Sequence, residues 1–380
     1  MAGRNLGAIY RAAAGDRPQR GKEWVLLPGR KTEITSGSST QTSRLATRSL
    51  HGIIVTLISQ SEEYRMTAQS PTAKMPPLWV IKLRAPFFTA DLTPVLLGAA
   101  IAWARVGTFN PWYFLLTLVG AICLNAGTNM TNDYFDHVWG SDEINTEFAN
   151  PFTGGSRLIQ MGLVKPKTFL WQGIGFFVIG SLIGLALILT RGPLVLWLGI
   201  VGVFSGYFYT APPFRLAGTG LGELLIGLNF GPLMVLGSYY TQTRAFSWEP
   251  VIGSLPVALL IALVVWINQF QDMRADAAVG KAHWVVRLGR KRAAAAYGLM
   301  LAATYLSLAA GVILGVVTPF ALLGLLTAPL AIKAYRVARV HYDHPQKLVP
   351  ANAATIQIHL LTGLLMTLGY VIQGIVGWLL

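Results

Sequence analysis

The run WYFLLTLVGAICLNAGTNMTNDYFD occupies residues 112–136. Its first 20 or so residues are apolar enough to cross a bilayer as one helix. Its last third is polar, and the polar residues recur at spacings of three and four, which places them on one face of that helix. They are Asn125, Asn129, Asn132, Asp133 and Asp136. The stretch therefore predicts a membrane helix with a polar stripe that ends in carboxylates.

A second stretch repeats this pattern. Asn268, Asp272 and Asp276 are spaced by four residues and also share one helix face. The two stripes close on Gly140 and Gly280, and Asn132 precedes Asn268 by 136 residues with four predicted helices in each period. We expect two similar halves that face each other, each contributing one acidic helix end.

Composition places both stretches in a polytopic, all-α membrane protein. The 380 residues are 53% hydrophobic and 12% charged, with a mean hydropathy of +0.51. Soluble domains carry about twice that charged fraction. The lone cysteine, Cys123, excludes an internal disulfide. Nine spans are predicted at about 88–105, 112–131, 168–190, 193–210, 220–240, 251–270, 293–316, 318–337 and 354–380.

The net charge of +14 would suggest nucleic acid as a partner of a soluble protein, but the distribution of charge favours the bilayer instead. Alternate loops divide the Lys and Arg residues from Lys74 onward seventeen to three. Positive charge accumulates on the cytoplasmic side of membrane proteins. We therefore expect a multi-pass protein of the cell membrane, with its N-terminus and both acidic stretches facing the cytoplasm, and no nucleic-acid partner.

Residues 1–75 do not share the apolar pattern of the rest of the chain. They carry eleven Lys and Arg, five Asp and Glu, and a Ser/Thr-rich run at 35–43. This composition predicts a basic, disordered tail that precedes a transmembrane domain at 76–380. Met66 and Met75 are alternative translation starts. We expect deletion of residues 1–74 to leave activity intact.

Clustered carboxylates near hydrocarbon indicate a reaction site. Oxygen ligands suit Mg²⁺, which proteins often share with substrate phosphates. Asp133 and Asp136 on one side, and Asp272 and Asp276 on the other, are the predicted Mg²⁺ ligands that would bind a diphosphate. Basic residues nearby would meet the remaining phosphate oxygens. They are Arg157, Lys165, Arg274 and Lys281.

Four segments resemble the UbiA-type intramembrane aromatic prenyltransferases, and within them the 1,4-dihydroxy-2-naphthoate prenyltransferases of menaquinone synthesis. They are NDYFDHVWGSD (132–142), NPFTGGSRLIQMGLV (150–164), YTAPPFRLAGTGLGELLIGLNFGPLMVLGSYYTQT (209–243) and DMRADAAVGK (272–281) with VVRLGR (285–290). The resemblance implies nine helices around a central cavity and Mg²⁺-dependent transfer of a polyprenyl group from its diphosphate to an aromatic ring. It assigns the metal clusters to Asn132, Asp133, Asp136, Asp272 and Asp276, the diphosphate to Lys281, and a supporting role to Asn268.

Some residues depart from the family pattern or have two interpretations. The family's first motif has a third acid where this chain has Gly140, and Asp142 is the nearest substitute. Gln271 stands where the family usually has an Arg. His283-Trp284 stands where the family usually has a Thr-Leu pair. We expect these changes to lie beside the substrates and to affect the choice of acceptor. Alternative acceptors are a monohydroxynaphthoate, 4-hydroxybenzoate or homogentisate.

Other polar and aromatic residues complete the candidate site. Tyr207 and Tyr209 could face a carbocation through their rings. Glu223 could orient an acceptor hydroxyl or hold helices together. Asp91, just after Lys82 and Arg84, is predicted to be a helix-end acid near basic residues. An ion-coupled transporter is the alternative from another functional class.

Overall fold

The computed structural model describes residues 76–379, so the predictions for residues 1–75 lie outside the described residues. The described chain is helical, as predicted, with no strand between residues 76 and 379. Its apolar helices are α1 (Ala85–Val106), α2 (Pro111–Trp139), α3 (Pro166–Arg191), α4 (Leu194–Tyr207), α5 (Gly222–Thr243), α6 (Trp248–Ala278), α7 (Trp284–Ile313), α8 (Pro319–His341) and α9 (Pro345–Leu379).

Among the described residues, eight helices are long and apolar enough to cross a membrane, and α4 is shorter. The 14 residues of α4 extend about 21 Å, less than the roughly 30 Å of a hydrocarbon core. The nine predicted segments are therefore all helices, but the length prediction for residues 193–210 was wrong. The chain leaves the helix at Phe208 and turns through the Pro212-Pro213 pair.

Helix α2 extends well past its predicted span. Asn110 caps its start by accepting hydrogen bonds from the backbone N–H groups of Trp112 and Tyr113, and Pro111 occupies the first turn. It ends where Gly140 adopts a left-handed conformation (φ 83°). Its 29 residues extend about 43 Å, so the acidic end continues beyond the apolar segment without leaving the helix. The predicted one-face stripe therefore exists.

Helices α7 and α9 also begin earlier than predicted. Helix α7 starts at Trp284, where the His283 side chain caps it by accepting from the Val286 N–H, and it is kinked at Gly289. Hydropathy alone missed this first part because it is rich in Arg and Lys, which are good helix formers. The site-bearing loop at residues 279–283 is therefore short.

Small residues let the helices approach closely. A side chain on Gly127 of α2 would meet the Gly173 carbonyl of α3 at 3.0 Å, and one on Gly227 of α5 would meet the Ala258 carbonyl of α6 at 3.1 Å. Close backbone approach through small residues is the usual packing mode of membrane helices. These contacts pack α3 against α2 and α5 against α6, the two helices that carry the polar stripes.

The last three helices support α6 from its other side. One core cluster joins Leu260, Ile267 and Phe270 of α6 to Tyr297 of α7 and Ile358 of α9. No residue from 284 to 379 lines the cavity described below. The fold class is confirmed, and within it the cavity is formed by α1 to α6 and their loops.

Candidate active site

A cavity of about 850 Å³ lies between α1, α2, α3, α4, α5 and α6. One end, here called the polar end, is lined by charged residues from the ends of α2 and α6. They are Asp136, Asp142, Asp272, Asp276 and Lys281. The remainder, the apolar arm, is lined mainly by aliphatic residues and glycines of α3, α4 and α5, including Ile183, Leu187, Val195, Leu198 and Leu233.

The two acidic helix ends share one cation. The Nζ atom of Lys281 lies 2.9 Å from Asp136 of α2 and 2.8 Å from Asp276 of α6. Burial disfavours the charged form of Lys281, but the two carboxylates outweigh burial and raise the pKa of the lysine above its usual range. The carboxylates of the two helices are thus close enough to hold one positive group between them.

The loop after α2 contributes to both carboxylate pairs. Asn145 donates a 2.7 Å hydrogen bond to Asp272 on the opposite helix. The Ser156 N–H donates to Asp133 at 3.1 Å. Gly155, at φ 68°, lies so close to two acids that an added Cβ would be 3.0 Å from Asp133 and 2.8 Å from Asp142. Only glycine suits this position, both for its backbone angle and for the space available.

Asp142 joins the polar end although the family spacing expects an acid at position 140. Its side chain is buried, in the short helix Ser141–Ile144 just past the left-handed Gly140. Burial, followed by repulsion from Asp136 and Asp133, raises the pKa of Asp142 to about 8. The third acid is therefore two residues later in the sequence than the family spacing expects, and the turn at Gly140 brings its side chain back to the site.

Most sequence-predicted site residues line the cavity. They are Asn125, Asn129, Asn132, Asp136, Tyr207, Tyr209, Asn268, Asp272, Asp276 and Lys281. Asn132 donates to Asp136 at 3.3 Å, and Asn129 donates to Asn125 at 3.1 Å, so the α2 stripe contains two hydrogen-bonded pairs. Asp133 is buried behind this surface, against the Gly155–Ser156 backbone.

The structure places the two predicted phosphate-binding arginines elsewhere. The Arg157 side chain lies over the Phe148 ring at 4.2 Å and donates to the Asp142 carbonyl at 2.5 Å, which orders the loop. The Arg274 side chain is 73% exposed and pairs with Glu147 at 2.8 Å. Neither lines the cavity. Arg274 is on α6 but two residues from Asp272 and Asp276, so it points away from their face.

Glu223 supports the loop that carries Lys281. Its Oε1 atom accepts a 3.1 Å hydrogen bond from the N–H of Trp284, the first residue of α7, where a negative charge complements the helix dipole. Glu223 is buried and does not line the cavity. Of its two predicted roles, the structure therefore favours holding elements together.

The departures from the family pattern occupy different surroundings. His283 is buried at the cavity, with Nε2 3.3 Å from Asp276. Gln271 is buried on the other side of α6, where it donates to Asn352 of α9 at 2.9 Å. Trp284 donates from its ring to the Gly220 carbonyl at 2.8 Å and is partly exposed. Only His283 lies beside the carboxylates, as predicted.

Sequence reasoning missed three contributors to the cavity. Arg84 lines the polar end and is close enough to Asp133 and Asp136 to interact electrostatically with both. Asn145 holds Asp272. Asp91, predicted only as a helix-end acid near basic residues, is fully buried at the cavity. Arg84 adopts a left-handed backbone (φ 52°) just before α1, which no sequence period signals.

A protein-family model described as the UbiA prenyltransferase family matches residues 92–361. The match covers more than half of the chain and includes every element of the cavity except Arg84 and the first turns of α1. The chain belongs to the UbiA prenyltransferase family.

Relatives of this prenyltransferase align with about four fifths of this chain and with nearly all of their own length. A 2-carboxy-1,4-naphthoquinone phytyltransferase from Synechocystis is 31% identical over 80% of this chain and 98% of its own. A 1,4-dihydroxy-2-naphthoate octaprenyltransferase from Bacillus subtilis is 28% identical over 78% of this chain and 92% of its own. A solved UbiA homolog from Archaeoglobus fulgidus, bound to GPP and Mg²⁺, covers 77% of this chain and 98% of its own with a TM-score of 0.56 at 15% identity.

The prenyltransferase is thus a multi-pass membrane enzyme that transfers a prenyl group to an aromatic acceptor. This confirms the prediction that the protein is an enzyme, and the ion-coupled transporter alternative was wrong. The structural likeness at 15% identity supports the fold, and the closer sequence relatives support the activity.

The polar end fits a metal that is shared with substrate. Within residues 76–379, no group of three or more His, Cys, Asp or Glu side chains is arranged so that it could bind a metal ion by itself. Mg²⁺ commonly takes only one or two carboxylates, with waters and substrate phosphates as its other ligands. The buried Oδ1 atom of Asp133 has no hydrogen-bond partner in the described chain, and the Oδ1 atom of Asp136 already faces a cationic group, the Nζ atom of Lys281.

Proposed function

We propose that this prenyltransferase transfers a polyprenyl group from polyprenyl diphosphate to 1,4-dihydroxy-2-naphthoate, a step in menaquinone biosynthesis. The observation that carries the proposal is the polar end itself, where Asp136 and Asp276 from opposed helices converge on one cationic group. Relatives that act on a naphthoate and a naphthoquinone support the choice of acceptor.

The donor head group binds at the polar end. Lys281 and Arg84 supply positive charge for the phosphate oxygens. Asp133 and Asp136 on α2, and Asp272 and Asp276 on α6, would hold Mg²⁺, which neutralises the charge that develops on a departing diphosphate. When the donor binds, Lys281 replaces one of its carboxylate contacts with a contact to a phosphate oxygen, while Asn145 keeps Asp272 oriented.

The polyprenyl chain occupies the apolar arm. Thr117 and Asp136 both line the cavity and are 19 residues apart on α2, so the cavity follows this helix for about 28 Å. At the far end, the hydroxyls of Thr117 and Thr241 are 3.0 Å apart, and each is also within hydrogen-bond distance of a backbone carbonyl of its own helix. The polar end and the apolar arm together therefore extend over most of the thickness of a bilayer.

Bond cleavage and formation occur where the polar end meets the apolar arm. The allylic C–O bond breaks, its electron pair leaves with the diphosphate, and the acceptor ring attacks the resulting allylic cation. If attack is at the carboxyl-bearing carbon, loss of CO₂ returns its electron pair to the ring and restores aromaticity. The rings of Tyr207 and Tyr209 border this region and can stabilise positive charge through their faces.

Tyr209 is suited to this role as a neutral phenol. Burial, reinforced by the nearby charge of Glu223, raises the pKa of Tyr209 well above its usual range. A phenol that stays protonated presents its ring face to a cation without becoming a competing nucleophile. Tyr207 packs edge-on to Phe135 at 6.4 Å and to Phe177 at 6.1 Å, which fixes its ring plane.

The reaction is tested with purified enzyme in lipid nanodiscs, labelled geranylgeranyl diphosphate and Mg²⁺. We expect a prenylated, decarboxylated product from 1,4-dihydroxy-2-naphthoate, identified by mass spectrometry, and loss of product when EDTA removes the metal. The same assay with 1-hydroxy-2-naphthoate, 4-hydroxybenzoate and homogentisate covers the other acceptors. A strong preference for 4-hydroxybenzoate or homogentisate would contradict the proposed acceptor.

We further propose that the polar end faces the cytoplasm of the cell membrane, from the distribution of positive charge. The only native cysteine, Cys123, is buried. Single cysteines can therefore be introduced by Arg274→Cys near the polar end and Arg244→Cys at the opposite end of α5. A membrane-impermeant thiol reagent should label only Arg244→Cys in intact cells. The reverse pattern would overturn the orientation.

A further inference from the structure

Asp91 is a buried carboxylate that the diphosphate chemistry does not use. It is on the first turns of α1, has no measurable exposure and borders the cavity. Its Oδ2 atom accepts a 2.7 Å hydrogen bond from Asn125 of α2. Its Oδ1 atom is buried and has no hydrogen-bond partner among residues 76–379. A carboxylate oxygen left in this state is costly, so it calls for a partner.

The position of Asp91 separates it from the metal-binding acids. Asn125, its partner, is 11 residues before Asp136 on the same helix, or about 16 Å along the axis. Asn129 lies between them and donates to Asn125 at 3.1 Å. Asp91, Asn125 and Asn129 thus form a polar patch, hereafter the Asp91 patch, beyond the reach of a diphosphate held at Asp136.

The walls around the Asp91 patch are apolar. Ala90, the neighbour of Asp91, packs with Ile261 and Val264 of α6, and Ile226 and Phe230 of α5 lie against the same cluster. Ile226, Phe230, Ile261 and Val264 also line the cavity. An apolar slot with a few polar groups on one side is the usual form of a site for a ring that carries one or two hydroxyls.

We propose that Asp91 is a specificity-determining residue that accepts a hydrogen bond from a hydroxyl of the aromatic acceptor, with Asn125 and Asn129 completing the acceptor site. The ring hydroxyl supplies the donor that Oδ1 lacks, and Asn125 holds the carboxylate in place. The inference rests on the proposed function for the identity of the ring, and it adds which residue selects for ring hydroxylation.

The test combines protein variants with acceptors that lack one hydroxyl. Asp91→Ala removes the carboxylate, and Asp91→Asn keeps its shape while halving its accepting capacity. Each is compared with the wild type on 1,4-dihydroxy-2-naphthoate, 1-hydroxy-2-naphthoate and 4-hydroxy-2-naphthoate, for equilibrium binding and for kcat/KM. Tyr297→Phe is the matched control, since it also deletes a buried hydrogen bond (2.7 Å, to Thr355) but at a site away from the cavity.

We expect the wild type to bind the dihydroxy compound at least tenfold more tightly than one of the monohydroxy compounds, as for a hydrogen bond to a charged group. Asp91→Ala should bring that ratio close to one, and Asp91→Asn should give an intermediate ratio. Affinity for a non-hydrolysable geranylgeranyl diphosphate analogue should stay within about twofold, and Tyr297→Phe should keep the wild-type ratio. A ratio unchanged by Asp91→Ala overturns the proposal.

The equilibrium binding measurements distinguish a failure of this inference from a failure of the proposed reaction. If the wild type prenylates the dihydroxynaphthoate but Asp91→Ala keeps the wild-type ratio, the function stands and the role of Asp91 is wrong. If no naphthoate is prenylated but the hydroxyl-dependent binding ratio falls in Asp91→Ala, Asp91 recognises an aromatic hydroxyl and the proposed acceptor is wrong. Equal loss of affinity for acceptors and for the donor analogue would assign Asp91 a purely structural role and overturn the proposal.

Discussion

The acidic ends of α2 and α6 are nearly alike in sequence but are held in different ways. On α2, Asp133 rests against the backbone of a following loop at Gly155 and Ser156. On α6, Asp272 and Asp276 are held by side chains, Asn145 and Lys281 respectively. Asp133 is therefore positioned by backbone shape, whereas both acids of α6 are positioned by side-chain partners.

The loops also cross between the two ends. Asn145 follows α2 but binds the α6 carboxylate, and Lys281 follows α6 but also binds Asp136 of α2 at 2.9 Å. Each acidic end is thus completed by the loop of the other half. This exchange couples the two halves at the point where the donor binds, and variants can separate its parts.

Removal of one carboxylate from either helix should have the largest effect. We expect Asp136→Ala and Asp272→Ala each to lower turnover by about a thousandfold. Each variant lacks a carboxylate that would hold Mg²⁺, the positive charge that stabilises the departing diphosphate. Helical content and thermal stability in detergent should change little. Asp343→Ala is the control, since Asp343 is 71% exposed and does not line the cavity. Turnover near the wild-type value in either cavity variant would contradict the assignment.

Loss of the shared cation should come next. Lys281→Ala should raise the KM for the polyprenyl diphosphate by about tenfold to a hundredfold, as for a hydrogen bond to a charged group, and leave the KM for the acceptor nearly unchanged. Initial rates measured with each substrate varied in turn distinguish the two. Lys281→Arg keeps the charge and should recover part of the affinity. An effect confined to the acceptor would show that Lys281 contacts the ring.

The acidic stripes, the helix count and the reaction class were predictable because each depends on residue type and helical period. Asn125, Asn129, Asn132 and Asp136 share a face by spacing alone, and the cavity confirms that face. The direction of loop side chains was not predictable in this way. Arg157, in a loop, has the charge for phosphate but lies over the Phe148 ring, whose position depends on tertiary packing. Arg274 is different, because its spacing from Asp272 and Asp276 on α6 already indicates that it faces away from them.

Asp91 shows the opposite failure. Its place near a predicted helix end, beside basic residues, suggested an ordinary helix-end acid and gave no sign that it borders the cavity. The contact between α1 and α2 that buries it joins residues 34 positions apart, and no local pattern specifies that contact. Asp142 was a candidate only through the family motif, and the left-handed turn at Gly140 is what returns it to the site.

The backbone-held end can be perturbed selectively at Gly155. Gly155→Ala places a Cβ within about 3 Å of the Asp133 and Asp142 carboxylates and should lower kcat/KM by about tenfold to a hundredfold, as for a misplacement of about 1 Å at a reacting centre. Gly162→Ala is a matched control in the same loop. Gly162 has a similar backbone angle (φ 69°), but its added Cβ would meet nothing within 4 Å. Equal losses in both variants would attribute the effect to backbone strain.

The smallest effect is expected where a side chain holds a carboxylate from the opposite half. Asn145→Ala removes the 2.7 Å hydrogen bond to Asp272, and we expect kcat/KM to fall by about threefold to tenfold, since water can take the place of the amide at a solvent-accessible cavity. The Mg²⁺ concentration for half-maximal rate should rise by a similar factor, because Asp272 becomes less well oriented. Asn145→Asp is the sharper variant. It keeps the size of the side chain but adds a sixth carboxylate to the polar end, beside Asp272, so it should lower the rate further than alanine does. If aspartate were tolerated better than alanine, the amide of Asn145 would not be the group that orients Asp272, and the exchange of loops between the two halves would not extend to this pair.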